Sequence, residues 1–433
     1  MTGFFPLSNL LLVKLTAHSS FARFFQSNAT CGIFCAILLS CSIAAGAADQ
    51  LKYDVDYRVT LLPDTRSVQV EIQLGKNAKY IRWIRFKIDP NYHSGFNGDG
   101  SVKTTDRQVL WKPSPSGGSL FFNVKIDHRR KSGNYDALFE DDWAMFRGYD
   151  IVPQARVDMQ DGTQANAKLT FYLPKRWSIV TPYGPGHNNS FKINDPNRSF
   201  DRPKGWIVTG KIGVKHERIN GINVAVAAPK GQSVRRMDIL AHLNWNLPTL
   251  LAIFPNFPKR ILVVSAGNPM WRGALSAPNS LYLHADRPLI SENGTSTLIH
   301  ELVHIAMATR AKIGADWLVE GFAEYYSLEI MRRSGTISKA RYKKAHRNLE
   351  EWGEEANKLN VKRSHGPITA KAVGVLLALD KEIRAKTDDK ANLDDLAKAL
   401  VAMKKDLSLE RVRKISEQIV GTPMETLSDD SLL

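Results

Sequence analysis

Two patterns of apolar and polar positions divide this chain. From Tyr53 to about Val208 they alternate, as in Tyr53-Asp-Val-Asp-Tyr-Arg-Val-Thr-Leu61, Ser67-Val-Gln-Val-Glu-Ile-Gln-Leu74 and Leu120-Phe-Phe-Asn-Val-Lys-Ile126. A period of two belongs to strands that bury one face. Clusters of Gly, Pro, Asn and Asp at 97–101 and 112–118 separate these runs and read as turns. The pattern predicts an antiparallel β-sandwich over residues 48–208, with no chemistry of its own. Tyr183-Gly-Pro-Gly-His187 falls inside it. It has neither a phosphate-loop lysine nor a following helix, so it reads as a surface loop.

From Trp206 the pattern changes. Residues 222–227 read as a strand, 233–247 as a helix ended by Pro248, 260–265 as a buried strand and 279–284 as a short strand. An apolar helix follows directly. After Met331 the chain reads as helix, with amphipathic stretches at 338–357, 369–387, 392–405 and 408–420 and cap signals at Asn392 and Ser408. The expected class is α+β, with a mixed β/α lobe over 209–335 and a helical lobe over 336–433.

The candidate chemistry lies on the apolar helix. His300-Glu301-Leu302-Val303-His304 puts two imidazoles four residues apart, on one helical face. Their neighbours Leu298, Ile299, Ile305, Ala306 and Met307 are apolar, a setting in which unpaired polar groups are costly. The competing account is a buried helix whose two histidines are satisfied by hydrogen bonds. A second helix, with Asp316 as its expected N-cap after Gly314, carries Glu320 back towards the histidines. A hydrolytic Zn²⁺ site needs three protein ligands and an open position for water. His300, His304 and Glu320 are the expected ligands of one Zn²⁺ ion, and Glu301 the expected general base.

Trp317-Leu318-Val319-Glu320-Gly321-Phe322-Ala323 extends the motif. Together these residues resemble the gluzincin metallopeptidases, the group of thermolysin and aminopeptidase N. The short ligand spacing and the segment Trp143-Ala-Met-Phe-Arg-Gly-Tyr-Asp-Ile-Val-Pro153 look most like the glycyl aminopeptidase family. The resemblance is strong over 290–330 and traceable over much of 50–410. It implies a thermolysin-like catalytic domain and hydrolysis of peptide or protein substrates. It also implies that Glu324 orients a histidine ligand, and that an edge strand with Gly273, Ala274, Leu275 and Ser276 binds substrate as an added strand.

Two positions depart from the family pattern. Aminopeptidase N relatives carry a glutamate that holds the substrate's α-amine where this chain has Ser276. Exopeptidase and endopeptidase action therefore both stay open. Relatives also use a tyrosine hydroxyl for the oxyanion, and the matching position here is Thr369. His365, Tyr342, Tyr325 and Tyr326 are the candidate substitutes. A zinc-binding but weakly active relative, serving as a peptide-binding or envelope-assembly protein, and an amidase of lipid or glycan on the same scaffold are the alternatives.

Composition adds a location and a charge. Residues 1–48 hold Lys14 and Arg23, no acidic residue, an apolar run from Gly32 to Ile43 and small residues at Ala45 and Ala47. This predicts a signal peptide over 1–47 and export to the periplasm or beyond. A rival reading acylates Cys41 as a lipid anchor. Cys31, Cys35 and Cys41 are the three cysteines of the chain, so cleavage near Ala47 leaves no thiolate for metal or nucleophile. The net charge of +16 falls by two with the leader and is dispersed. It suits acidic substrates or an anionic envelope surface, and no nucleic-acid module accompanies it. Oligomeric state is left open.

Overall fold

The computed structural model describes residues 51–193, 195 and 198–432. The expected leader over 1–47 and its cysteines lie outside these residues. The strands of the first region are β1 (Lys52–Leu62), β2 (Ser67–Leu74), β3 (Ile81–Lys87), β4 (His93–Gly98), β5 (Ser101–Thr105), β6 (Gln108–Lys112) and β7 (Gly118–Lys125). They continue with β8 (His128–Arg129), β9 (Tyr135–Phe139), β10 (Trp143–Arg147), β11 (Ala155–Met159), β12 (Gln164–Tyr172), β13 (Ser178–Val180), β14 (Ser190–Lys192) and β15 (Trp206–Gly210). One helical turn, α1 (Gly148–Ile151), interrupts the series.

A six-stranded sheet, β14-β12-β1-β2-β7-β4, and a four-stranded sheet, β11-β3-β6-β5, share one core. Alternation is what builds it. Tyr53, Val55, Tyr57, Val59 and Leu61 of β1 point inward with Ile84, Phe86, Trp111 and Phe122, while the intervening polar residues face out. The sandwich departs from the antiparallel expectation at one pair. β1 and β12 run parallel, from Lys52↔Gln164 to Thr60↔Tyr172. A parallel neighbour needs a long crossover, and here the other sheets supply it.

A third sheet, β13-β15-β10-β9-β8, is covered on both faces. Ala144, Phe146 and Ile207 point into the sandwich core, and Trp143, Met145, Trp206 and Val208 pack on Leu262, Val264 and Tyr282 of the sheet beyond. Such double burial explains why β10 and β15 read as continuous apolar runs rather than alternating ones.

The sheet beyond has the order β16-β17-β18-β20-β19: β16 (Ile212–Ile219), β17 (Ile222–Pro229), β18 (Arg260–Ala266), β19 (Ala274–Ala277) and β20 (Ser280–His284). β17, β18 and β20 are parallel; β19 pairs antiparallel with β20 and forms the edge. The helix α2 (Arg236–Ile253) runs through Pro248 instead of ending there. Leu243, Leu247, Leu250 and Ile253 bury the opposite face. The carbonyl that loses its helical partner belongs to Asn244, a residue exposed to solvent, and packing outweighs a local cost of about 3 kcal/mol.

Helices α3 (Thr297–Met307), α4 (Asp316–Arg333), α5 (Lys339–Gly353), α6 (Pro367–Lys386), α7 (Leu393–Ala402) and α8 (Leu409–Val420) follow. They share one core with α2 and the edge-strand sheet. Asn392 and Ser408 cap α7 and α8 as expected. Asp316 is the first residue of α4 rather than its N-cap. Its carboxylate instead accepts a 2.6 Å hydrogen bond from Ser364 N, tying α4 to the approach of α6. Among the described residues no helix is long and apolar enough to cross a membrane.

Candidate metal centre

The helix α3 is fixed before it carries any chemistry. Ser296 caps it, its hydroxyl accepting from Ile299 N at 3.4 Å. The same hydroxyl meets His242 Nε2 of α2 at 3.3 Å, and Ser327 Oγ of α4 donates to the Ser296 carbonyl at 3.1 Å. Leu298, Ile299, Leu302 and Val303 are fully buried below. Gly321, next to Glu320, has its own reason. A Cβ there would come within 2.8 Å of the Ala372 Cβ, so only glycine lets α4 lie against α6 at this height.

His300, His304 and Glu320 converge. Nε2 of His300 and Nε2 of His304 stand 3.1 Å apart, and the Glu320 oxygens lie 3.5 and 3.6 Å from them. Ligand atoms at ~2.0–2.1 Å from a tetrahedral zinc are separated by roughly 3.3 Å, so the spacing fits that ion. His300 Nδ1 bonds the Glu324 carboxylate at 2.8 Å, which leaves Nε2 free to act as the ligand atom. Burial disfavours charge on His300, but its bonds to Glu320 and Glu324 outweigh that and raise its pKa well above the usual imidazole value. Glu320 is pushed the other way: burial raises its pKa, and the two histidines pull it far below the carboxylate range. A pocket that favours positive charge between two imidazoles and a carboxylate is one in which a divalent cation fits.

Glu301 lines the same cleft as this triangle and reaches towards the edge strand. It is 8% exposed, and its Oε2 accepts a 2.7 Å hydrogen bond from Ser276 N of β19. β19 is held from behind by a contact that sequence reasoning missed. Trp206 donates Nε1 to the Leu275 carbonyl at 2.9 Å, and its backbone N–H donates to Ser280 Oγ at 2.8 Å. Gly205 permits the approach, because a Cβ there would meet the Pro278 carbonyl at 2.7 Å. The apolar run of β15 is the one sequence signal that Trp206 sits between two cores.

A cleft of about 790 Å³ lies between β19 and the metal centre. His300, Glu301, His304 and Glu320 form one side, Leu275, Ser276 and Ala277 the other. Gly273 and Ala274, expected beside them, are not among its lining residues, and Ala274 is 4% exposed. No tyrosine lines the cleft among the described residues. Tyr325 and Tyr326 are buried in the helical core, and the Tyr342 hydroxyl is bonded to Glu329. Thr369, on α6, and His365 lie outside the lining as well. The cleft's remaining wall is cationic, with Arg198, Arg310, Lys404 and Lys405.

No family model matches the chain, and no curated protein sequence matches it. Among solved structures, the crystal structure of an aminopeptidase N family protein from Idiomarina loihiensis is similar. It has a TM-score of 0.62 and 14% identity, covering 86% of this chain and 72% of that one. At that identity the likeness is one of fold, a mixed α and β scaffold of the aminopeptidase N kind.

Proposed function

We propose that this protein is an exported metallopeptidase that hydrolyses peptide bonds at one zinc ion held by His300, His304 and Glu320. The observation that carries the reading is the three-way convergence of these residues, with the Glu301 carboxylate beside them on the same cleft. When bound, zinc supplies Lewis acidity and a water that ionises near neutral pH. The remaining work falls to the chain. Glu324 holds His300 at Nδ1 and orients it. Glu301 takes a proton from the attacking water and returns it to the leaving amine. The substrate backbone adds to the outer edge of β19, where the Ser276 N–H already faces the site. The apolar, acid-free stretch at 1–47 supports export, and the basic surface supports contact with an anionic envelope.

A second reading, a zinc-binding protein that holds peptides and turns them over slowly, has its own observation. The cleft lacks a tyrosine hydroxyl among its described lining, and losing one oxyanion donor costs about 10²–10³ in rate. Purified mature protein with one equivalent of zinc, offered a diverse peptide library, separates the two. Cleavage abolished by Glu301→Gln supports the peptidase. Zinc retention and peptide affinity without turnover support the binding protein.

A further inference from the structure

We propose that the cationic wall of the cleft is a specificity site for a carboxylate of the substrate, supplied by an acidic side chain or by a peptide C-terminus. This rests on the peptidase reading above and names its substrate class. The argument starts from what the cleft offers to charge. Its lining carboxylates are Glu301 and Glu320, both committed to the chemistry, and Asp406. Ser276 has no charge to offer an incoming ammonium, and a desolvated ammonium needs a carboxylate partner. Against these stand Arg198, Arg310, Lys404 and Lys405. Arg198 is engaged by Asp195 at 3.3 Å, whereas Arg310, Lys404 and Lys405 make no ion pair with any described carboxylate.

Arg310 lies nearly a hundred positions before Lys404 and Lys405 in sequence, yet the backbone pins the two loops together. Leu407 N donates to the Arg310 carbonyl at 2.6 Å, Lys312 N to the Leu407 carbonyl at 2.8 Å, and Thr309 Oγ1 to the Lys405 carbonyl at 2.9 Å. The two loops are therefore held together, and their cations line the same cleft as His304 and Ile305. The cationic wall also continues outward. A second cavity of about 560 Å³ shares Arg198, Pro278 and Arg310 with the cleft and adds Arg202 and Lys204, with Arg202 bonded to the Val152 carbonyl. Four cations on this wall against the single uncommitted carboxylate of Asp406 favour ligands of negative charge, and the Arg310 fork matches a carboxylate. A solvated basic face would lie on a convex surface, away from the chemistry. This one lines the cleft.

The test uses full-length mature protein loaded with zinc and peptides of one length. A single glutamate is moved through successive positions on either side of the bond, each paired with its glutamine twin, and each C-terminus is made as acid and as amide. The acidic member of one pair is expected to show about tenfold higher kcat/KM, mostly through KM, with the gain shrinking as salt rises. Which pair responds tells a side chain from a C-terminus. The triple variant Arg310→Gln, Lys404→Gln, Lys405→Gln should bring the ratio of kcat/KM between the acidic peptide and its neutral twin to about one, and Arg310→Glu should turn the preference towards a lysine peptide. Equal use of acid and amide throughout, or a preference that survives both variants, overturns the proposal. The same pairs are also measured for binding by fluorescence anisotropy. If no peptide is cleaved but the acid binds about tenfold more tightly than its amide and the triple variant loses the difference, the peptidase reading fails and the subsite stands.

Discussion

The helices that carry His300, His304 and Glu320 are buried along most of their length, whereas the wall facing them across the cleft is an edge strand and two exposed loops. On the metal side the supports come from neighbouring helices. Ser296 is tied to α2 and α4, His300 to Glu324, and Gly321 fixes the distance to α6. On the substrate side, position comes from outside the catalytic core, through Trp206 of the sandwich-facing sheet, and charge comes from loop residues joined by backbone bonds. The difference teaches a division of labour. Reactive groups are held where displacement is costly, and recognition is placed where residues change at little cost to the fold.

Changes on the metal side are expected to be the most severe. Glu301→Gln should lower kcat by about 10²–10⁴-fold with zinc content unchanged, measured by steady-state kinetics beside metal analysis. A loss of zinc instead would place Glu301 among the groups that hold the ion and blur the contrast.

The next largest effect is on stability and depends on pH. Burial lowers the His242 pKa from 6.5 to about 4, so the folded protein binds this proton less readily than the unfolded chain. The associated stability is present above pH 6.5 and is lost as pH falls towards 4, at most about 3 kcal/mol. Denaturant midpoints at pH 7 and pH 4.5 should therefore converge for wild type and His242→Gln as the medium becomes acid. Parallel curves would show that burial does not hold His242 neutral in the folded protein.

Glu324→Gln comes third, with a 10–100-fold loss of zinc affinity in chelator competition, because Nδ1 of His300 loses its carboxylate. Unchanged affinity would leave Glu324 as a surface carboxylate. The mildest change is Trp206→Phe, which keeps most of the apolar packing and deletes the bond to the Leu275 carbonyl. It should cost about 1 kcal/mol of stability and raise KM while zinc affinity holds. An equal loss in both quantities would erase the distinction between the two walls.

How much of this was legible in the sequence follows the same line. Strands with one buried face declared themselves by alternation, and β1, β2 and β7 lie where the pattern put them. The His300–His304 spacing and Glu320 were local signals, and the structure brings those residues together. Pro248 misled because a local rule was overridden by an apolar face that packs across the chain. The parallel β1–β12 pair, the Trp206 clamp and the meeting of Arg310 with Lys404 and Lys405 are long-range contacts. Nothing in a short window encodes them. Residue type and nearness in sequence point to Tyr325 and Tyr326 as substitutes, but burial keeps both away from the cleft.

The bond from Trp206 to the Leu275 carbonyl has an effect on temperature response. The metal-bearing helices rest in the helical core, whereas β19 packs on that core and is also braced from the sandwich side by Trp206, so gentle heating that loosens this brace shifts the edge strand before either core melts. Affinity for substrate is then the first property to drift, and metal retention the last. Activity should fade at temperatures where zinc is still fully held, leaving a protein that is folded, loaded and out of adjustment.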